Sequence, residues 1–347
     1  MASQLKDAAW LEWMAGLMGT APRQTYAGPP PERFYCLLDE LPLHLIPQRQ
    51  LALLRDDNRR GEPLVFNPQC SIHSSGSLPA ELEEARNSLT DFCLDGTIAW
   101  VRDAAFGSIQ PFSLGSGLER IVSQLVPGEC CPAAIPANAR ELFASAGILV
   151  PPDHAERAIN RWKEKAEKSA TQFQREGYVP LRSLIHPFQI AALRRYYRCA
   201  IRRGKIELGD HQSTRRYVAY NDSAARFFHL QLTNLVGAVV GEPVKPSYVY
   251  FASYLAGAEL KKHTDRAQCE FSVTLCLDFS PEPVHATSWP IRLDTAKGTA
   301  VIYQALGDGL FYRGTQVPHY RQVLPDGHTS TSIFFHYVPA DFSGSLD

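Results

Sequence analysis

The stretch that follows Pro246 constrains the fold most, because it carries no long helical pattern. Short runs rich in β-branched and aromatic residues alternate there with Pro and Gly, a pattern that predicts strands. The predicted strands are Tyr248–Tyr254, Glu270–Leu277, Trp289–Leu293, Thr299–Gln304, Leu310–Arg313, His319–Leu324 and Thr331–Val338. Short strands at this spacing favour a β-sandwich or a barrel.

Two helices are predicted immediately before these strands. The first starts near Pro187 and ends at Gly204, and the second runs from its cap at Asp222 to Gly241. Both have apolar residues at core spacing, so they are expected to pack on the outer face of one sheet. The first helix carries five arginines, most of which are expected to face water: Arg194, Arg195, Arg198, Arg202 and Arg203. The predicted fold class is α+β, mainly β in the C-terminal half.

The first 150 residues are predicted to form two smaller regions. Residues 1–80 are interrupted by prolines and predict an irregular or helical N-terminal region. Residues 81–150 hold two predicted strands and then helices near 116–126 and 136–146. That order resembles a small winged-helix accessory domain of the kind that recognises peptides, and an ordinary accessory domain is the alternative. Residues 151–347 are predicted to hold a connector helix and a complete β domain.

The overall composition excludes several classes of protein. The 35 Lys and Arg residues balance 36 Asp and Glu residues, so a strongly basic nucleic-acid binder is not expected. The eight cysteines form no CxxC motif and no paired zinc spacing. The N-terminal residues are too polar for a secretory signal, and no apolar run approaches the ~18 residues that span a bilayer. We therefore expect a cytoplasmic protein with reduced thiols and neither nucleic acid nor membrane as a partner.

The sharpest motif is His263-Thr264-Asp265. In a strand, residues i and i+2 point to the same face, so this imidazole and this carboxylate can converge on one metal ion. A later histidine, His319, lies on another predicted strand. Two His and one carboxylate that leave positions open are the arrangement of non-haem Fe(II) oxygenases.

The context of this motif carries a resemblance to a known family. Tyr254-Leu-Ala-Gly257 precedes the motif, and Val317-Pro-His319 follows a second predicted strand. This Y-x-x-G…H-x-D…H pattern resembles the prolyl-4-hydroxylase-like branch of the 2-oxoglutarate/Fe(II) dioxygenases, over about residues 176–340. The resemblance implies a double-stranded β-helix, or jelly roll, with Fe(II) as the metal, 2-oxoglutarate as co-substrate and ascorbate as a candidate accessory cofactor. By this resemblance, the iron ligands and catalytic residues are His263, Asp265 and His319.

Two other histidines, His336 and His285, are alternative candidates for the third metal ligand. His336 lies among aromatic residues on the last predicted strand, where a lone histidine is more typical of a core residue. His285 lies in a loop flanked by prolines and is the weaker candidate. The alternative for the motif itself is that its residues are satisfied polar groups in an antiparallel sheet.

The sequence departs from the family at the residue that would anchor 2-oxoglutarate. The family usually places Arg or Lys on the strand after the distal His, at positions that here hold His328 and Thr329. Arg321 is the only arginine after the distal ligand and is expected on the same strand face as His319. The candidates for co-substrate binding are therefore Arg321, His328 with neighbouring hydroxyls, and Tyr254. Arg266 and Arg313 are interpreted either as surface residues or as substrate contacts.

The resemblance implies hydroxylation of an unactivated C–H bond in a peptide, an amino acid or a natural product. The N-terminal region is a candidate for recognising that substrate. The carboxylate of Asp265 argues against a halogenase, whereas desaturation and ring formation stay open. Two other hypotheses remain: a cupin-type metal enzyme that does not use 2-oxoglutarate, and a degenerate oxygenase domain that serves as a binding module.

Overall fold

The computed structural model describes residue 30, residues 32–50 and residues 62–346. Much of the predicted N-terminal region therefore lies outside the described residues. The chain divides into two compact units. The first holds the described residues up to 160 together with residues 187–196, and the second holds residues 161–186 and those from 197 onward. The three-part division drawn from the sequence stays a prediction.

Within the described residues, the first unit contains two small antiparallel sheets and several short helices. Strand β2 pairs with β3, which pairs with β4, and β1 pairs with β5. The elements in chain order are β1 Val65–Phe66, β2 Cys70–His73, α1 Ala80–Glu83, β3 Thr97–Arg102, β4 Ile109–Leu114, α2 Ser116–Val122, α3 Ala137–Ser145 and β5 Leu149–Val150. Two strands followed by two helices were predicted here, and the winged-helix resemblance stays a prediction.

The second unit is built from helices followed by two antiparallel sheets. Its elements, including two helices that contribute residues to both units, are α4 His154–Glu176, β6 Tyr178–Leu181, α5 Pro187–Arg202, β7 Glu207–Leu208, β8 Arg216–Tyr220, α6 Ser223–Gln231, α7 Thr233–Val240, β9 Val244–Tyr254, β10 Leu260–His263, β11 Phe271–Ser280, β12 Ile291–Thr295, β13 Gly298–Ile302, β14 Gly309–Arg313, β15 His319–Arg321 and β16 Thr329–Pro339. None of the helices within the described residues is long and apolar enough to cross a membrane.

The predicted second helix is two helices separated at Leu232. Asp222 caps the first of them by accepting a hydrogen bond from the Ala225 backbone N–H at 3.1 Å, as predicted. Gly241 ends the second in the left-handed conformation, with φ of +86°, which glycine adopts without steric cost.

Two facing sheets form the predicted jelly-roll core. The larger has seven strands in the order β6-β14-β11-β16-β9-β8-β7, and the smaller has four in the order β10-β15-β12-β13. Side chains of both sheets meet in one apolar cluster, which joins Ile291 and Leu293 of β12 to Leu310 and Tyr312 of β14. The mainly β character of the C-terminal half is thus confirmed.

The larger sheet buries both of its faces, because helices cover the face opposite the smaller sheet. Tyr197 of α5 stacks on Phe251 of β9 with ring centroids 4.0 Å apart. His229 of α6 packs against Phe335 and Tyr337 of β16. Along each strand the alternate residues point to the other face, toward the smaller sheet. This inner face carries the polar side chains described below.

Helix α5 holds an exception to the expectation that most of its arginines face water. Arg194 is fully buried and donates from Nη1 to the Leu45 carbonyl at 2.6 Å. Gln189 is also fully buried and donates to the Pro111 carbonyl at 2.5 Å. Both partners are distant in sequence, so a local pattern could not reveal them.

These contacts give a prediction for truncation. A chain that starts at residue 153 loses Pro111 and Leu45, and with them two hydrogen bonds worth about 0.5–1.5 kcal/mol each and the packing that buries Gln189 and Arg194. We expect its free energy of unfolding, measured by urea denaturation, to fall by several kcal/mol. A chain that starts at residue 30 keeps both partners and is the matched control. Equal denaturation midpoints for the two chains would contradict the prediction.

Candidate metal centre

The structure brings together the three residues that the sequence proposed as metal ligands. His263 on β10 is the register partner of His319 on β15, and their ring centroids lie 4.4 Å apart. Asp265 follows directly after β10, where its backbone N–H donates to the Gly314 carbonyl at 2.8 Å. Its Oδ1 lies 3.7 Å from Nε2 of His263 and 3.5 Å from Nε2 of His319.

The main chain orients both imidazoles. Nδ1 of His263 lies 2.7 Å from the Lys261 carbonyl, and Nδ1 of His319 lies 3.1 Å from the Val317 carbonyl. A carbonyl only accepts, so each Nδ1 carries the proton and donates it. In a neutral ring with this arrangement Nε2 carries the lone pair, and in both histidines Nε2 faces Asp265, as metal binding requires. Burial also lowers the pKa of His319, which favours the neutral ring.

Ser272 orients the carboxylate. Its hydroxyl donates to Oδ2 of Asp265 at 2.8 Å, which leaves Oδ1 facing the two imidazoles. The same Ser272 oxygen lies 3.0 Å from Nδ1 of His336. Since the hydroxyl has one proton and gives it to the carboxylate, His336 donates its Nδ1–H to Ser272. Burial lowers the pKa of His336 to about 4, so its ring is neutral at physiological pH.

Gly314 leaves the space that this carboxylate occupies. A Cβ atom at this position would lie 2.3 Å from the Cys269 carbonyl oxygen and 2.5 Å from Oδ2 of Asp265. Contacts this short do not occur with real Cβ atoms, so one of the two groups would have to move.

We therefore expect Gly314→Ala to weaken metal binding by about tenfold or more, since loss of support to a ligand typically costs about 10–100-fold. The measurement is Fe(II) affinity under anaerobic conditions. Gly117→Ala, on helix α2 with nothing within 4 Å of the added Cβ and no left-handed backbone, is the control for a generic loss of glycine. Undiminished affinity in Gly314→Ala would show that the Asp265 carboxylate does not need this space.

A cavity of 410 Å³ opens beside the three candidate ligands. The inner face of the larger sheet contributes a wall of tyrosines, and a groove that shares His211, Gln212 and Arg216 adjoins it. Among the lining residues are Tyr220, Tyr248, Tyr250, Tyr254, Tyr312 and Arg266. The His263 side chain is 32% exposed whereas that of His319 is 3% exposed, so one ligand faces the solvent side and the other the interior.

Arg321 lies on the same face of β15 as His319, as predicted, and is 5% exposed. Its guanidinium donates from Nη1 to the Trp289 carbonyl at 2.5 Å and from Nη2 to Oε1 of Gln304 at 3.3 Å. It also lies over the Trp289 ring, with 4.8 Å between Cζ and the ring centroid. No carboxylate among the described residues pairs with it. Burial consequently lowers its pKa.

The other candidates from the sequence lie in different places. Tyr254 is buried, lines the cavity and packs edge-on against Trp289. His328 is instead near Phe279, just before β16 begins, and eight residues before His336, which corresponds to roughly 26 Å of extended chain. Arg313 packs over Phe173 and does not line the cavity. His285 is exposed in its loop.

The sequence interpretation missed a cation on the cavity wall. Arg216 of β8 is 3% exposed and forms an ion pair with Asp210, with 2.5 Å between Nη2 and Oδ2. It also donates to the Tyr254 hydroxyl at 3.1 Å. Although burial raises the pKa of Asp210, hydrogen bonds from Arg216 and Tyr250 lower it to about 2. Strand periodicity was the available sequence signal. Arg216 and Val218 are two residues apart on a strand, so their side chains point to the same face.

No protein-family model matches the chain, and no curated protein matches it. Similar solved structures include the non-heme alpha ketoglutarate dependent epimerase SnoN from nogalamycin biosynthesis, at 13% identity over 51% of this chain and 84% of that chain, with a TM-score of 0.44. A Pseudomonas putida prolyl-4-hydroxylase is 18% identical over 50% of this chain and 98% of that chain, with a TM-score of 0.42. HygX from Streptomyces hygroscopicus, solved with nickel and 2-oxoglutarate bound, is 11% identical over 50% of this chain and 87% of that chain, with a TM-score of 0.41.

Proposed function

We propose that the protein is a non-haem Fe(II) dioxygenase that uses 2-oxoglutarate to hydroxylate an unactivated C–H bond. One observation carries the proposal: two imidazole Nε2 atoms and one carboxylate oxygen converge beside a cavity, each already oriented by a hydrogen bond. The ligands are His263, Asp265 and His319.

The chemistry of these donors fits Fe(II). Two neutral imidazoles and one carboxylate form the facial triad of non-haem iron oxygenases, in which the remaining positions stay open. The cavity lies on the open side of the three donors. Bound there, Fe(II) with 2-oxoglutarate and dioxygen supplies the oxidant that breaks a C–H bond, with succinate and CO₂ released.

Arg321 supports 2-oxoglutarate as the co-substrate. A buried guanidinium with no carboxylate partner among the described residues is costly, because desolvation of a charge is repaid only by a well-placed opposite charge. The distal carboxylate of a 2-oxoacid supplies that charge, and the guanidinium offers parallel donors to it. Arg216 is less suited to this role, since Asp210 already neutralises it. Tyr254 and Trp289 form an aromatic wall beside Arg321.

We propose further that the substrate is a small molecule or a peptide segment that enters the tyrosine-lined cavity, in a cytoplasmic protein. The 410 Å³ volume is at the lower end of the roughly 300–1,000 Å³ that ligand pockets span. Recognition by the N-terminal region and use of ascorbate remain part of the proposal.

The test measures bound iron and succinate release in one preparation. We expect the anaerobically reconstituted protein to bind one Fe(II) per chain and to convert 2-oxoglutarate to succinate slowly in air, even without its substrate. His263→Ala is expected to lose both signals. Bound iron without succinate would favour the cupin-type hypothesis, and the absence of both would favour a binding module.

A further inference from the structure

Of the arginines that line the cavity within the described residues, Arg266 forms no ion pair. Among the described residues that line it, Asp265 is the only carboxylate, and it belongs to the candidate metal site. Arg216 is neutralised by Asp210. Arg266 follows Asp265 directly in the chain, lines the same cavity and forms no ion pair with any described carboxylate.

The guanidinium of Arg266 is held in a definite position. Its Cζ lies 4.6 Å from the centroid of the Tyr248 ring, and its Nε donates to the Tyr248 hydroxyl at 3.3 Å. Stacking on an aromatic face is a favoured arrangement for arginine. The side chain of Arg266 is exposed, and the terminal amino groups of a guanidinium are the donors that a planar carboxylate accepts from.

The wall next to Arg266 presents aromatic faces. Tyr220 stacks on Tyr248 with ring centroids 5.1 Å apart and an interplanar angle of 27°. The hydroxyl of Tyr248 is engaged with Cys269, and that of Tyr250 donates to Asp210. With these hydroxyls committed, the surface available to a ligand is mainly the aromatic rings, which favour offset or edge-to-face contact with another ring.

We infer that Arg266 selects substrates by a carboxylate, and that the tyrosine wall receives a small aromatic body attached to it. This inference rests on the proposed function and names the substrate class of the same site. Arg321 in the interior takes the carboxylate of 2-oxoglutarate, and Arg266 at the exposed edge takes that of the substrate.

The experiment compares 3-phenylpropionate with its uncharged amide, 3-phenylpropionamide, which has nearly the same shape. Each probe is titrated anaerobically into the protein saturated with Fe(II) and 2-oxoglutarate, and the broadening of its proton resonances by the paramagnetic iron gives the dissociation constant. We expect the acid to bind about tenfold more tightly than the amide, or about 1.4 kcal/mol.

Arg266→Gln is expected to abolish most of this preference while the visible absorption of the ferrous 2-oxoglutarate chelate is kept. Arg313→Gln is the matched control, because Arg313 lies outside the cavity, and it should retain the preference. Equal binding of acid and amide, no binding of either, or a preference that survives in Arg266→Gln would each overturn the inference. If the chelate absorption itself is absent from the unaltered protein, the proposed function fails and the inference fails with it.

Discussion

His263→Ala and Asp265→Ala are each expected to abolish stoichiometric Fe(II) binding while the fold survives. Each variant removes one of three ligands, and the loss of affinity should exceed the roughly 10–100-fold that loss of an outer partner costs. Neither residue lies in the apolar core, since the side chains of His263 and Asp265 are 32% and 13% exposed. Iron content after anaerobic loading and desalting is the measurement, with thermal unfolding to check the fold.

His285→Ala is the matched control, because it removes an exposed histidine far from the motif in sequence. It should bind iron like the unaltered protein. Retention of one iron per chain in His263→Ala or Asp265→Ala would refute the assignment of the metal site.

Arg321→Ala is expected to raise the concentration of 2-oxoglutarate needed for half-maximal succinate release by about tenfold or more, which corresponds to about 1.4 kcal/mol or more. The cause is that the distal carboxylate would be buried without its cation. Iron content should not change, since Arg321 donates to Trp289 and Gln304 and to none of the three ligands. Arg321→Lys keeps the positive charge but not the planar pair of donors. Its 2-oxoglutarate requirement should therefore rise less than that of Arg321→Ala.

His328 is the alternative candidate for binding the distal carboxylate of 2-oxoglutarate, and His328→Ala tests it. Because His328 lies near Phe279 and eight residues before His336, far along the chain from the candidate metal residues, His328→Ala should leave the 2-oxoglutarate requirement unchanged. An unchanged requirement in Arg321→Ala together with a clear loss in His328→Ala would reverse the two assignments.

The candidate metal residues were accessible to sequence reasoning because their geometry is local or nearly so. His263 and Asp265 were predicted to share a face from strand periodicity, although β10 ends at His263 and Asp265 lies just beyond it. His319 lies on a short strand that Pro and Gly residues bound. The jelly-roll core followed in the same way from the short strands after Pro246. The residues typical of strands and turns were thus sufficient to predict most of the β-structure of the second unit.

What sequence reasoning missed depends on register and on distant contacts. The contact of Ser272 with Asp265 depends on how β11 is placed in the sheet. The register of that sheet is irregular at Cys276/Asp278, between β11 and β16, and at Phe335/Tyr337, between β16 and β9. No local pattern marks a bulge reliably, and each one shifts which residues face inward. His336 was read as a core histidine. It is indeed buried, but it also lines the cavity and donates to Ser272.

The unequal exposure of the two imidazoles bears on how a metal would be exchanged. His263 stands on β10, the edge strand of the four-stranded sheet, whereas His319 is enclosed on the next strand. Bulk solvent therefore reaches the first ring more readily than the second. Release should therefore begin with detachment of His263, while Asp265 and His319 hold the ion until a competing ligand arrives. The order of ligand loss, and with it the lifetime of the loaded state, is set by the position of one histidine at a sheet edge.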